Sequence, residues 1–195
     1  MDNIEYKGYT IKIDIDENPI DPREDEDFDT MVCFHSRYSL GDKTDLKSDM
    51  FGGWDELEKY LKKEKGASVT MPLYLYDHSG ISMKTYRHGQ HSAWDCGMVG
   101  FIYTTKKDIK RFFGNKKLTR AQIEKYLIQE VEIYNTYIMG MVYYFSIEDE
   151  NGNPVEDGAC GNWHDEKDAI TEAKSIIDYE VKERNKSVPV GALFN

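Results

Sequence analysis

The sequence has no apolar run near the ~18 residues a membrane-spanning helix needs, so a helical membrane protein is not expected. Its first residues, Met1-Asp-Asn-Ile-Glu5, carry neither a basic stretch nor an apolar one, and no secretory signal is expected there. Cysteine is scarce: Cys33, Cys96 and Cys160 are odd in number and widely spaced. That excludes a disulfide framework and fits reduced thiols in a cytosol. Neither G-x-G-x-x-G nor G-x-x-x-x-G-K-[ST] occurs, so the common phosphate cradles are missing and no cofactor is expected. Ser79, Ser92 and Cys96 lie near histidines in sequence, but none stands in a nucleophile elbow, and no catalytic residue is assigned. Positive charge is short as well, with 25 Lys and Arg against 36 Asp and Glu. Phosphates are bound by Lys and Arg that displace counterions, so direct binding of free nucleic acid is not expected. The largest basic cluster, Lys106 to Arg111 with Lys116-Lys117, reads as a solvated helix face.

What is present suits a folded domain. The 195 residues are 39% hydrophobic and include fourteen Tyr, eight Phe and three Trp. A chain of this length buries about 70% of its unfolded surface and needs no covalent staples. Alternation around Lys7-Gly8 predicts a β-hairpin over residues 4–16 that buries Tyr9, Ile11, Ile13 and Ile15. Pro19 and Pro22 make residues 17–29 a loop. Thr30 to His35 reads as a buried strand. Trp54 to Glu64 reads as an amphipathic helix, its acids leading and its lysines trailing. Val69 to Tyr76 is a strand that Pro72 places partly at an edge, and Met98 to Tyr103 is another. Thr105 caps a short helix. Thr119-Arg-Ala-Gln122 is a capping box that opens a long one, with Ile123, Tyr126, Leu127, Val131, Tyr134 and Ile138 inward. A strand at 141–147, a hairpin turn at 151–154, a return strand and a helix capped by Asp165 complete the chain. The expected fold is α+β: a largely antiparallel sheet with three or four helices packed on one side. No linker is evident, so residues 1–185 are expected to form a single domain, with 186–195 as a C-terminal tail.

The charge is uneven. The stretch Asp14 to Asp29 holds nine carboxylates and one arginine, −8 of the net −11. A local field of one sign points to a partner of the opposite sign. The carboxylates Asp14, Asp16, Glu24, Asp25, Glu26 and Asp27, with Phe28 as a nearby apolar anchor, are therefore expected to meet a basic protein surface. A second constellation lies between two strands: Asp77-His78, then His88 and His91, then Asp95. Imidazole and carboxylate suit a zinc-like ion, so these residues form the alternative reading, a metal-dependent hydrolase or nuclease. Their spacing matches no fixed metal motif, and Asp77 and Gly80 equally make a turn.

Pro72-Leu-Tyr-Leu-Tyr-Asp-His-Ser-Gly80, followed by Trp94-Asp-Cys-Gly-Met-Val-Gly-Phe-Ile-Tyr103, resembles a family of small proteins carried by phages, prophages and plasmids of Gram-positive bacteria. The resemblance takes in Asp25 to His35 and continues to residue 185. It implies a mobile element in a bacterial cytoplasm, where small acidic proteins often block host defence nucleases such as CRISPR effectors and restriction enzymes. The resulting expectation is an inhibitor that occupies a basic nucleic-acid-binding groove.

Overall fold

The computed structural model describes residues 2–24, 27–86 and 96–187. Contacts divide the chain into two compact units, Met1–Ile20 with Gly140–Asn195, and Asp21–Met139. The sequence reading expects one domain because no linker is visible. None is needed here, since the second unit is inserted between two strands of the first that pair directly.

The first unit opens with β1 (Asp2–Tyr6) and β2 (Tyr9–Ile15). Lys7 and Gly8 have φ of 52° and 84°, the left-handed pair that a tight hairpin turn requires. Tyr9, Ile11 and Ile13 are buried as expected, but Ile15 is 46% exposed. It pairs with Tyr143 at the last rung of the ladder, beyond the reach of the core.

The chain then builds the second unit: β3 (Thr30–Cys33), a 3-10 turn (Ser48–Met50), α1 (Trp54–Lys63), β4 (Ala67–Asp77), β5 (Ile81–Lys84), β6 (Cys96–Thr105), α2 (Lys106–Phe113) and α3 (Arg120–Ile138). The four strands pair antiparallel in the order β3-β6-β4-β5. Pro72 pairs with β6 on one side, while β5 joins the other side only from Tyr74, so the proline sits at an edge. The register shifts between Leu73 and Tyr74, opposite Gly100 and Met98, at a β-bulge. Met31 and Ile102 face one way and pack with Ile123, Leu127, Val131 and Tyr134 of α3. Their neighbours Val32, Phe101 and Tyr103 face the other way and pack with Leu57 and Leu61 of α1. Helices therefore cover both faces of this sheet, not one. Thr105 and Thr119 cap α2 and α3 through the amides of Asp108 and Gln122, and the capping box at Thr119 is complete.

The chain returns to the first unit as β7 (Tyr143–Glu148), β8 (Pro154–Trp163) and α4 (Glu166–Ser187). The sheet order is β1-β2-β7-β8, so the two middle strands are those on either side of the insertion. Asp165 caps α4, accepting from the amides of Lys167 and Asp168. Ala169, Ala173 and Ile177 of α4 close over Ile11, Ile13, Phe145 and Ile147. The class is α+β with antiparallel sheets; the strands form two sheets, one per unit.

Candidate functional site

The second unit begins with the carboxylate-rich loop, and that loop closes around Arg23. The Arg23 side chain is only 3% exposed. Its Nε and Nη2 donate to Asp42 Oδ1 and Oδ2 at 2.8 and 2.9 Å, a two-pronged pair. Nη2 also donates to the Asp29 carbonyl at 3.4 Å, and Nη1 lies 3.9 Å from Asp27 Oδ2. Burial works against the guanidinium charge, but Asp42, Asp29 and Asp27 outweigh it and hold the group protonated, above its usual value.

Local chemistry fixes each partner. Asp21 Oδ1 accepts from the Arg23 amide at 2.9 Å and the Asp21 carbonyl from the Glu24 amide at 3.1 Å, forming a turn that starts the loop. Gly41, at φ of 69°, lies so close to β3 that a Cβ would stand 2.6 Å from the Met31 carbonyl. This approach sets Asp42 where its Oδ2 accepts from the Met31 amide at 2.7 Å. The Tyr134 hydroxyl holds the Gly41 amide at 2.8 Å from α3. Phe28 ends the loop. It is 5% exposed, packs edge-on against Phe113 and Tyr126 with centroids 5.4 and 6.2 Å away, and its carbonyl accepts from Thr104 Oγ1 at 2.5 Å.

Asp29 lies beneath the loop with its side chain fully enclosed. Nη2 of Arg23 makes an ion pair with Asp29 Oδ1 at 3.1 Å while its better-aligned hydrogens go to Asp42 and the Asp29 carbonyl, and among the described residues Asp29 Oδ2 has no partner. Burial pushes the Asp29 carboxyl up to about 7; the Arg23 charge pulls it down, while Asp27 and Asp42 add to the rise. Glu130 of α3 completes a triad: one oxygen each from Asp27, Asp29 and Glu130 lie within 4.8 Å of one another. Burial, then the charges of Asp27 and Asp29, hold the Glu130 carboxyl well above the usual range. Asp27 and Asp29 of the triad line a cleft of about 690 Å³, together with the carboxylates of Asp21, Glu24, Asp42 and Asp108 and the cations Arg23, Lys43 and Arg111. Such a cleft can take a cationic side chain or a metal ion.

The residues expected from sequence fare differently. Glu24 and Asp27 line the cleft; Asp25 and Glu26 lie outside the described residues. Asp14 and Asp16 belong to the first unit. Asp14 is exposed and accepts from the Ile15 amide, and Asp16 holds the amides of Asn18 and Asn162 at 3.0 and 2.8 Å. Phe28 is not an exposed anchor: flanked by aromatic rings, it gains more from the core than from solvent. Of the histidine constellation, only Asp77 and His78 fall among the described residues. Asp77 is paired with Arg37 and accepts from Tyr38 Oη at 3.3 Å, His78 sits in the β4–β5 turn with its amide on the Gly80 carbonyl, and His88, His91 and Asp95 lie outside the described residues. Sequence reasoning missed Arg23, Asp29, Asp42 and Glu130. A signal existed for Glu130, which stands seven places after Ile123 and three after Leu127, on the apolar stripe of α3.

No family model, curated protein or solved structure matches the chain.

Proposed function

We propose that the chain is a non-catalytic acidic binding protein that docks on the cationic surface of a protein partner, and that this partner is a nucleic-acid-handling defence effector of a bacterial host. The observation that carries the reading is the charge of the cleft: six carboxylates against three cations, with Arg23 buried and bound to Asp42 and Asp29. The rim carboxylates Asp21, Glu24 and Asp27 lie beside Arg23 and Phe28, which are both buried. Groups held in place before contact lose less entropy on binding. The concave shape takes a protruding Lys or Arg side chain, so the chain competes with nucleic acid for those groups in place of imitating a row of phosphates. The resemblance to proteins of phages and plasmids supplies the setting.

The test is a cleavage assay with a panel of purified RNA-guided nucleases and restriction enzymes from Gram-positive hosts. The chain is expected to block DNA binding by at least one, with affinity falling roughly tenfold or more as salt rises from low to physiological strength. The triple variant Asp21→Asn, Glu24→Gln, Asp27→Asn is expected to abolish the block while remaining folded. Absence of inhibition across the panel, or inhibition that neither salt nor the triple variant alters, overturns the reading.

A further inference from the structure

We infer that Asp27, Asp29 and Glu130 form a binding site for one divalent cation of the hard, oxygen-preferring class, Ca²⁺, Mg²⁺ or Mn²⁺. The inference goes beyond the docking reading and stands without it, because ion binding is a property of the chain alone.

Two independent observations meet here. The first is geometric. An ion about 2.0–2.6 Å from each oxygen keeps its ligand oxygens within roughly 5 Å of one another. The three carboxylates satisfy that limit, with oxygens inside 4.8 Å. Asp27 and Asp29 flank Phe28, whose ring turns into the core, and Glu130 comes from α3. The donors thus arrive from two elements, and Asp27 and Asp29 line an open cleft that leaves room for water as the remaining ligands.

The second observation is the state of Asp29. Its side chain is fully enclosed; Oδ1 has only the ion pair with Arg23, and among the described residues Oδ2 has no partner. Buried polar atoms almost always have a partner, and one that lacks it invites an ion or a water. Arg23 fills the role only in part. Its Nη2 is ion-paired with Asp29 Oδ1 at 3.1 Å and its Nη1 lies 3.9 Å from Asp27 Oδ2, but this one cation is shared with Asp42, so Asp27, Asp29, Asp42 and Glu130 together outnumber it. Like charges held this close in a poorly solvated place repel one another, and a divalent cation relieves that repulsion. Burial is the main cause that raises the carboxyls of Asp29 and Glu130, and the neighbouring carboxylates add to it. All three donors are oxygen, and among the described residues no thiol or imidazole joins the cluster, which favours the hard ions over zinc.

The experiment uses the full chain, stripped with EDTA and titrated with Mn²⁺, free Mn²⁺ being read by its paramagnetic resonance. Saturable binding of one Mn²⁺ per chain is expected, reversed by excess Ca²⁺ or Mg²⁺, whichever competes better naming the ion. Glu130→Gln, nearly isosteric, is expected to weaken binding at least tenfold with an unchanged circular dichroism spectrum. Asp27→Asn, on the half-buried side of the triad, gives the same reading should Glu130→Gln fail to fold. Glu172→Gln, an exposed carboxylate of α4, is expected to change nothing. No saturable Mn²⁺ below about 1 mM, the weak end of protein calcium sites, overturns the proposal. So does binding that survives both triad variants unaltered.

Discussion

Arg23 is the residue on which the acidic loop depends. Removing its main partner strands a buried cation, and breaking a buried pair from one side costs about 3–5 kcal/mol. Asp42→Ala is therefore expected to lower stability by that amount and to loosen the loop, measured by urea unfolding and by amide exchange at residues 27–31. Asp29 makes the opposite kind of contribution. Its folded carboxyl, at about 7, binds a proton more tightly than the unfolded one at 3.8. The stability tied to this proton is complete below pH 4 and is lost as pH rises through 7, on the order of 4 kcal/mol for about three units. In EDTA, the urea midpoint of the native chain is expected to fall from pH 5 to pH 8 relative to Asp29→Asn, whose midpoint lacks this slope. Thiol chemistry gives a third check. Burial, then the charge of Asp42, pushes Cys33 up to about 12, while Cys160 is exposed. A disulfide reagent at pH 8 is expected to label Cys160 quickly and the half-buried Cys33 far more slowly. Little of this site was legible in the sequence. Arg23 reads there as a small offset to nine acids, and its burial follows from Asp42, nineteen residues away, meeting it across the close approach at Gly41. Glu130 was legible in principle, as a carboxylate on an apolar stripe.

Elements read well from sequence where the signal is local. The caps at Thr105, Thr119 and Asp165, the hairpin turn at Lys7-Gly8 and the edge position of Pro72 each depend on a few consecutive residues, and each is found. Pairing between distant strands leaves no such mark. Nothing in Tyr9 to Ile15 says that its partner is β7, so the strands read as one sheet when they form two. The cover of both sheet faces had a trace: Met31-Val-Cys33 and Phe101-Ile-Tyr103 are apolar at successive positions, and a strand apolar on both sides needs packing on both. Gly100 serves this arrangement. It pairs with Cys33 on one side and Leu73 on the other, and a Cβ there would run into the Val32 carbonyl. Gly100→Ala is expected to part β3 from β6 and to cost several kcal/mol, on the scale of a backbone collision in a core. Thermal melting checks it, and Gly97→Ala on the same strand, where a Cβ meets open space, is the control.

At the scale of the whole molecule, the chain is one compact unit inserted into another. Within the inserted unit, Asp21 adds to the rise of the Tyr137 hydroxyl and lines the same cleft as Tyr134, so its two ends are neighbours. A chain of residues 21–139 alone is expected to fold cooperatively with α3 and its sheet intact, seen as native-like circular dichroism and a single unfolding transition. A fragment that stays unfolded would count against the unit's independence. The acidic stretch spans the junction, giving Asp14 and Asp16 to one unit and Glu24 and Asp27 to the other, which sequence alone presents as a single run.

The insertion also dictates an order of events. Lys12 of β2 and its ion-pair partner Glu148 of β7 are 136 positions apart, and closing so long a loop in a disordered chain is slow. Folding of residues 21–139 first would bring their two ends together and shorten that search. A variant that cripples this inserted unit should strand β2 without its mate and present an unsatisfied strand edge to other copies, so lesions in the interior are expected to surface as aggregation through the amino-terminal hairpin.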